Sequence, residues 1–352
     1  MMQYAFFDEE KRLNKLSKLG DKLEQLNEIV NWEIFVPVLD AAIPREKNNP
    51  KGGRPPYDSL LMFKILVLKR MNGLSDGEMD YMINDRLSFM RFLGIKVTDT
   101  IPDANTIWTY GELLSGSEAG KDIFDRFNEE IEKRGYITRK GTLVDASFVE
   151  APRRKNTKEQ REKLKEGEIP EEWADPAHPQ KLMQRDTDAT WTKKGDTAYF
   201  GYKNNVKADR DSKIITDYNV TTASTNDVKG AEGLIDATDE VIYADAAYPS
   251  LTLPEGVVNM ISEKPARNNP LTEEQRAANH EKAKIRCRVE HIFAGMVQST
   301  GGMEIRCKSK KRAELSVGLM NLCYNMRRVL SLVKPTDNWV KRVLRNKREA
   351  IA

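Results

Sequence analysis

DEVIYADAAYPS (residues 239–250) is the stretch whose reading decides the fold. Its apolar run, Val241-Ile242-Tyr243-Ala244, has the length and side-chain type of a buried strand, with turn-forming residues on either side. The run delivers a bare carboxylate, Asp245, at its carboxyl end. Aspartate is common there because it closes turns. A core strand ending on an acid is also a way to hold a metal ligand, and the stretch alone fits both readings.

Working outward, GTLVDASFVEA (141–151) is a second strand, in which Leu143, Asp145, Ser147 and Val149 share one face. AYFGYKNNVKAD and KIITDYNVTT flank the turn RDS as a hairpin. NDVKGAEGLIDAT reads as a helix and GVVNMISE (256–263) as a short strand. A long helix opens at PLTEEQ, where Thr272 and Gln275 form a capping box, and runs to Thr300, where Gly301-Gly302 stops it. Strand, hairpin, helix, two strands and helix predict an α/β fold, a mixed sheet flanked by helices. The charged, turn-rich segment 153–197 reads as a surface insertion.

Ahead of this lies an all-α module. Leu13, Leu16 and Leu19, then Leu23, Leu26 and Val30, recur at helical intervals on either side of a break at Gly20-Asp21. The linker PREKNNPKGGRPPYD follows. Its GGRPP sets Arg54 on extended backbone, a shape that could lie in a DNA minor groove, although an ordinary basic linker is the simpler reading. Asp58 caps the next helix, whose stripe is Leu61, Ile65 and Leu68. LSDGEMDYMINDRLSFMRFLG has helix-turn-helix character, and IPDANTIWTYGELL begins another helix after a Pro-Asp turn. The organisation predicted is an N-terminal α module for DNA binding or dimerisation (1–135), an α/β core (136–300) and a basic helical C-terminal region (301–352).

With 352 residues, 39% hydrophobic and 32% charged, the chain has enough apolar material for a sizeable core. No run approaches a membrane span and the N-terminus lacks a signal-peptide core, so a cytoplasmic location is expected. Cys287, Cys307 and Cys323 cannot all pair and show no C-x-x-C spacing, which favours reduced thiols over a zinc site with His280 and His291. Net charge is only +3, but residues 304–348 carry thirteen Lys/Arg against three acids. That run, with Arg306, Lys308, Lys310, Lys311 and Arg312 at its head, implies a polyanionic partner.

Three acids stand out: Asp145 in the first strand, Asp245 ending a later one, and Glu290 in the long helix. Converging carboxylates repel unless cations compensate. An oxygen-only ligand set suits Mg²⁺ or Mn²⁺. Around Glu290, Ile285, Val289, Ile292, Phe293 and Met296 form one apolar stripe, with Arg286 and Glu290 at its border. An i,i+4 ion pair on a solvated face explains that pair as well as a phosphate-facing arginine does. His291 points away from Glu290 and is assigned to packing or hydrogen bonding, and Tyr248 reads as core.

Several of these motifs, in order, resemble the DDE transposases of bacterial insertion sequences, specifically the group named after insertion sequence five. The resemblance rests on FFDEEKRLNKLSKLGDKLEQLNEIVNWEIF, GGRPPYDSLLMFKILVLKRMNGLSD, TLVDASFVEAP, DATWTKKGDTAYFGYKNNVKAD, VTTASTNDVKG, VIYADAAYPS, RCRVEHIFAGM and LMNLCYNMRRVL, and covers nearly the whole chain. It implies an RNase H-like core, two Mg²⁺ ions (Mn²⁺ as the alternative), and Asp145, Asp245 and Glu290 as catalytic metal ligands. The activity implied is cleavage at insertion-sequence ends and transfer of the 3′-hydroxyl into target DNA. The partners implied are the terminal inverted repeats and target DNA, gripped by a homodimer or higher oligomer. A silent DNA-binding regulator and a nuclease without strand transfer are the alternatives. The family pattern Tyr-x2-Arg-x3-Glu-x6-Lys keeps Arg286 and Glu290 but has Ala283 and Val297 at its ends. Lys193, Lys194, Lys203 and the C-terminal basic run are the candidates to replace the lost phosphate contacts, and Trp191 is a candidate to stack on an unpaired base.

Overall fold

The computed structural model describes residues 8–43, 55–154, 156–266 and 269–333. Arg54 and the basic residues beyond Val333 lie outside them. Two compact units divide the chain: Met1–Ile131 with Leu322–Ala352, and Glu132–Asn321. Among the described residues no helix is long and apolar enough to cross a membrane.

The first unit is helical: α1 Asp8–Lys18, α2 Lys22–Ile29, α3 Val36–Ala42, α4 Ser59–Met71, α5 Asp76–Asp85, α6 Leu87–Leu93, α7 Ala104–Ser115 and α8 Ala119–Lys133. Local chemistry sets the boundaries. Asp21 and Asp58 cap α2 and α4 through the N–H groups of Leu23 and Leu61, and Ser75 with Glu78 forms a capping box on α5. The core includes Trp32, Phe35, Phe63 and Phe92, whose ring centroids lie 5.0–6.4 Å apart. Arg86 alone separates α5 from α6, where helix-turn-helix character is expected.

The second unit is built on one sheet. Its elements are β1 Thr142–Glu150, α9 Lys158–Lys165, α10 Gln180–Met183, β2 Thr190–Lys194, β3 Thr197–Asp209, β4 Ile215–Thr222, α11 Asp227–Ala231, β5 Val241–Tyr243, β6 Val258–Asn259, α12 Glu273–Arg286 and α13 Arg288–Ser299. A final helix, α14 Lys310–Leu332, gives its residues through Asn321 to this unit and the rest to the first. β1 is antiparallel to β3, β3 antiparallel to β4 and to β2, and β5 and β6 run parallel to β1. This is the mixed sheet flanked by helices that the sequence predicts. Gly201 allows β3 to cross the end of β1. Its φ is +147°, and a Cβ there would stand 2.2 Å from the Val149 carbonyl oxygen.

Three buried polar clusters in the sheet unit are internally paired. Asn204 and Asn321, both fully buried, exchange amide hydrogen bonds at 2.7 and 3.1 Å and tie α14 to β3. Asp209 accepts from the backbone of Thr138, Arg139, Asp211 and Ser212 and from the hydroxyls of Thr138 and Ser212. Lys207 is ion-paired with Asp239 at 2.8 Å and Asp236 at 2.9 Å, and Thr142 donates to Asp239 at 2.7 Å.

Four local expectations change. The helix predicted over 272–300 breaks at Cys287, with only the Thr272–Gln275 capping box as drawn. The helix in NDVKGAEGLIDAT is only α11, because Glu232 turns extended at ψ 131° and Gly233 has φ +83°. The 153–197 segment is not wholly a surface insertion: its β2 joins the sheet, and the Tyr202 hydroxyl donates to buried Asp186 at 2.9 Å. The described part of 301–352 is not a separate unit either. The Ile305 N–H donates to the Glu150 carbonyl beside β1, and α14 continues the chain into both units.

Candidate active site

Parallel pairing of β1 with β5 sets the site. Thr142 lies opposite Ile242 and Leu143 opposite Tyr243. Asp145 and Asp245 therefore each follow the last paired position by two residues, at matched places, Asp145 within β1 and Asp245 just past the end of β5. β5 ends there because its next residues turn: the Ala247 N–H donates to Asp245 Oδ1 at 2.7 Å and the Tyr248 N–H to the Asp245 carbonyl at 3.2 Å. Asp245 is thus a turn-former, and its second carboxylate oxygen stays without a hydrogen bond among the described residues.

Asp145 takes one close hydrogen bond, from the Ala146 N–H at 2.8 Å. Burial drives its pKa up to about 6; the Ala146 hydrogen bond opposes the rise, the Asp245 charge adds to it, and Arg286 and Lys194 pull it down. Two acids in each other's field, without enough cation nearby, is the electrostatic condition a divalent ion relieves.

Glu290 arrives from the other direction. It sits in the first turn of α13, whose buried Val289, Ile292 and Met296 face inward, and its own side chain is 62% exposed. Arg286, at the end of α12, reaches both acids: its Nη2 lies 3.2 Å from Glu290 Oε1 and its Nη1 3.8 Å from Asp145 Oδ2. Asp145 and Asp245 come together, and Glu290 joins them through a guanidinium. Among the described residues no group of three His, Cys, Asp or Glu side chains is close enough to share a metal ion. Asp145 and Asp245 fit Mg²⁺ nonetheless, since that ion is held by one or two carboxylates with water or phosphate completing its shell.

The other candidates are scattered. Lys193 and Lys194 are exposed on β2. Trp191 is 47% exposed, with its ring 5.1 Å from Phe200 and the Arg153 guanidinium 5.5 Å above it. Arg306, Lys310 and Lys311 are exposed, while Lys308 and Arg312 are half-buried. Lys203 corrects the sequence reading. It is 8% exposed, its ammonium donates to Asp227 and to the Thr225 carbonyl at 2.6 Å, and it covers the Phe148 ring. Register places Lys203 opposite Phe148, so both point to the face that carries α11 and neither to solvent. His291 is hydrogen-bonded to Lys213 at 2.8 Å. Tyr248, whose hydroxyl feels the charges of Asp145, Asp227 and Asp245, carries no sequence signal that separates it from core residues.

Residues 11–112 match the model of a Transposase domain (DUF772), and residues 137–326 match that of a Transposase DDE domain. A solved piggyBac transposase synaptic complex with hairpin DNA is 13% identical over 93% of this chain and 78% of that one, with a TM-score of 0.37, a likeness too slight to argue from. The second match spans more than half of the chain and contains Asp145, Asp245 and Glu290, and by it the chain belongs to the Transposase DDE domain family.

Proposed function

We propose that this transposase cleaves DNA at the ends of an insertion sequence and joins the released 3′-hydroxyl to target DNA, with Asp145 and Asp245 as ligands of a divalent cation, Mg²⁺ or Mn²⁺. The observation that carries the reading is the matched placement of these acids, Asp145 on β1 and Asp245 just past the end of β5, with Asp145 held near pKa 6 by burial and by its neighbour. Bound there, a hard divalent ion supplies activation of the attacking oxygen and neutralisation of the leaving one, and the family resemblance implies a pair of such ions.

The chain's own groups do the rest. Asp145 and Asp245 hold the charge that selects the cation. Glu290 is the third acid, available once Arg286 leaves its carboxylate, 3.2 Å away through one nitrogen, for a DNA phosphate that it can grip with two. Lys193 and Lys194 contribute phosphate contacts and Trp191 a stacking platform. The helical N-terminal unit and the basic run from Arg306 onward supply further grip on DNA. Joining two ends to one target requires at least a dimer on DNA.

The test is cleavage of a labelled insertion-sequence end in Mg²⁺ or Mn²⁺ by wild type and by Asp245→Ala. Cutting is expected to vanish in the variant while DNA binding stays within about twofold. Undiminished cutting by Asp245→Ala would refute the assignment, and binding without any cutting by the wild type would mark a silent regulator. Nicked products without joined ones would mark a nuclease.

A further inference from the structure

Two surfaces of the helical unit are candidates to meet DNA, and they differ in charge. α5–α6 is the one with helix-turn-helix character, a motif that reads DNA through its second helix. Here that helix is occupied. Phe89, Met90, Phe92 and Leu93 of α6 are buried, and Asn27 on α2 donates to the Phe92 carbonyl at 2.9 Å. The one cation of α6, Arg91, is 18% exposed and is spent on α1 and the start of α2. Its guanidinium donates to the Leu13 carbonyl at 3.2 Å, to the Ser17 hydroxyl at 2.8 Å and to Asp21, with Glu24 3.4 Å away. α5 has the wrong sign for a phosphate backbone: it carries Asp76, Glu78, Asp80 and Asp85, and neither lysine nor arginine.

Through the Arg91 contacts α1 lies over α6, and it shows solvent the opposite charge. At ~100° per residue, Arg12, Lys15 and Lys18 fall within ~120° of one another, with the half-buried Leu13 and Leu16 on the other side. All three cations are exposed, as is Lys22 at the start of α2, and none of the four is ion-paired among the described residues. The acids of α1, Asp8, Glu9 and Glu10, all precede Arg12. The residues three and four places from Lys15 are Lys11, Arg12, Lys18 and Leu19. Like charges at that spacing destabilise a helix, and nothing in α1 offsets them there. At ~1.5 Å per residue Arg12 and Lys18 stand ~9 Å apart along the axis, a length over which duplex DNA carries about five phosphate charges.

We propose that the helical unit holds duplex DNA by its phosphate backbone through Arg12, Lys15, Lys18 and Lys22, and that α5–α6 is the scaffold beneath this ridge rather than the element that reads bases. The proposal rests on the reading of the chain as a transposase acting on DNA, and names the surface by which its N-terminal unit takes part. Contacts of this kind fix a duplex in place without selecting its sequence.

The experiment measures binding of the full chain to a labelled duplex of random sequence across a salt series, with cleavage of an insertion-sequence end scored separately. Lys15→Gln, Lys18→Gln and Lys22→Gln are combined, since glutamine matches lysine in helix propensity, and the unfolding temperature should not fall. The triple variant is expected to bind about tenfold more weakly or worse at moderate salt and to lose about 2–3 from the salt slope. Arginine at the same three positions should restore both. Tyr81→Ala with Asn84→Ala, which strips exposed side chains from α5, should change neither. A glutamine variant within about twofold of wild type and with an unchanged slope would overturn the proposal, as would an α5 variant that loses more affinity than the glutamine one. Wild type that binds the duplex without cutting the insertion-sequence end would overturn the cleavage reading alone, whereas wild type that binds no duplex would overturn both.

Discussion

Two carboxylate-rich regions of the same sheet lie three residues apart along β1, and they are built in opposite ways. Where Thr142 meets Asp209, every buried charge is answered: Asp209 accepts six hydrogen bonds, and Lys207 stands between Asp236 and Asp239. Where Asp145 faces Asp245, one close backbone hydrogen bond and a guanidinium at 3.8 Å must serve a buried acid beside another acid. Desolvation costs are of the same kind in both. The first region meets them from within the chain and is structural. The second leaves them standing, the usual mark of a place where something else binds.

The largest effect should come from breaking the satisfied region. Asp209→Ala strands six donors around a site that is 2% exposed, and a loss of about 4–5 kcal/mol is expected in equilibrium denaturation. A loss under about 1 kcal/mol would show that the hub is not structural.

The opposite sign is expected at the other region. Asp145 has a folded-state pKa of about 6, above the ~3.9 of an unfolded aspartate. Its contribution to stability is therefore full below about pH 4 and is lost as pH rises past 6. Asp145→Asn should abolish cleavage and yet stabilise the metal-free protein by about 2–3 kcal/mol at pH 7.5. That gain should fade toward zero as pH falls from 6 to 4, as followed by denaturant unfolding across the range. A variant no more stable than wild type at pH 7.5 would mean that the acid is not held at a cost.

The smallest effect sharpens the contrast between exposed and buried lysines. Replacing Lys193 and Lys194 together by Ala should lower DNA affinity several-fold and reduce the salt slope by about 1–2. Lys203→Met should leave the salt slope unchanged while destabilising the fold, because its ammonium is spent on Asp227. Titrations of binding against salt separate the two cases.

How much of this was legible follows from the range of the interactions. The strands and both aspartates could be read because a short apolar run ending on an acid is a local pattern, and the capping box at Thr272 is local too. The break at Cys287 carries no glycine or proline to announce it. The Asn204–Asn321 pair spans 117 residues, and Asp209 meets Thr138 across 71; no periodicity encodes either. Lys203 was misread for the same reason: alternation says which residues share its face, but only the fold says that α11 covers that face. The position of Glu290, one guanidinium away from Asp145, depends on how α12 and α13 meet at their break, which sequence spacing on a single straight helix does not contain.

The division of α14 bears on how the protein is made. In the first unit Val67 accepts from Cys323, 256 residues later, and Asn128 accepts from Asn325, 197 residues later. In the second, Asn204 awaits Asn321. Ribosomes add about 5–20 residues per second, so the emerging N-terminal helices wait on the order of tens of seconds for the helix that completes them. During that interval both acids have been synthesised, while neither half of the nascent chain has received its last buried partner. Synthesis halted before α14 would leave at least two buried asparagines and two apolar surfaces open, a product fit for chaperones or proteases.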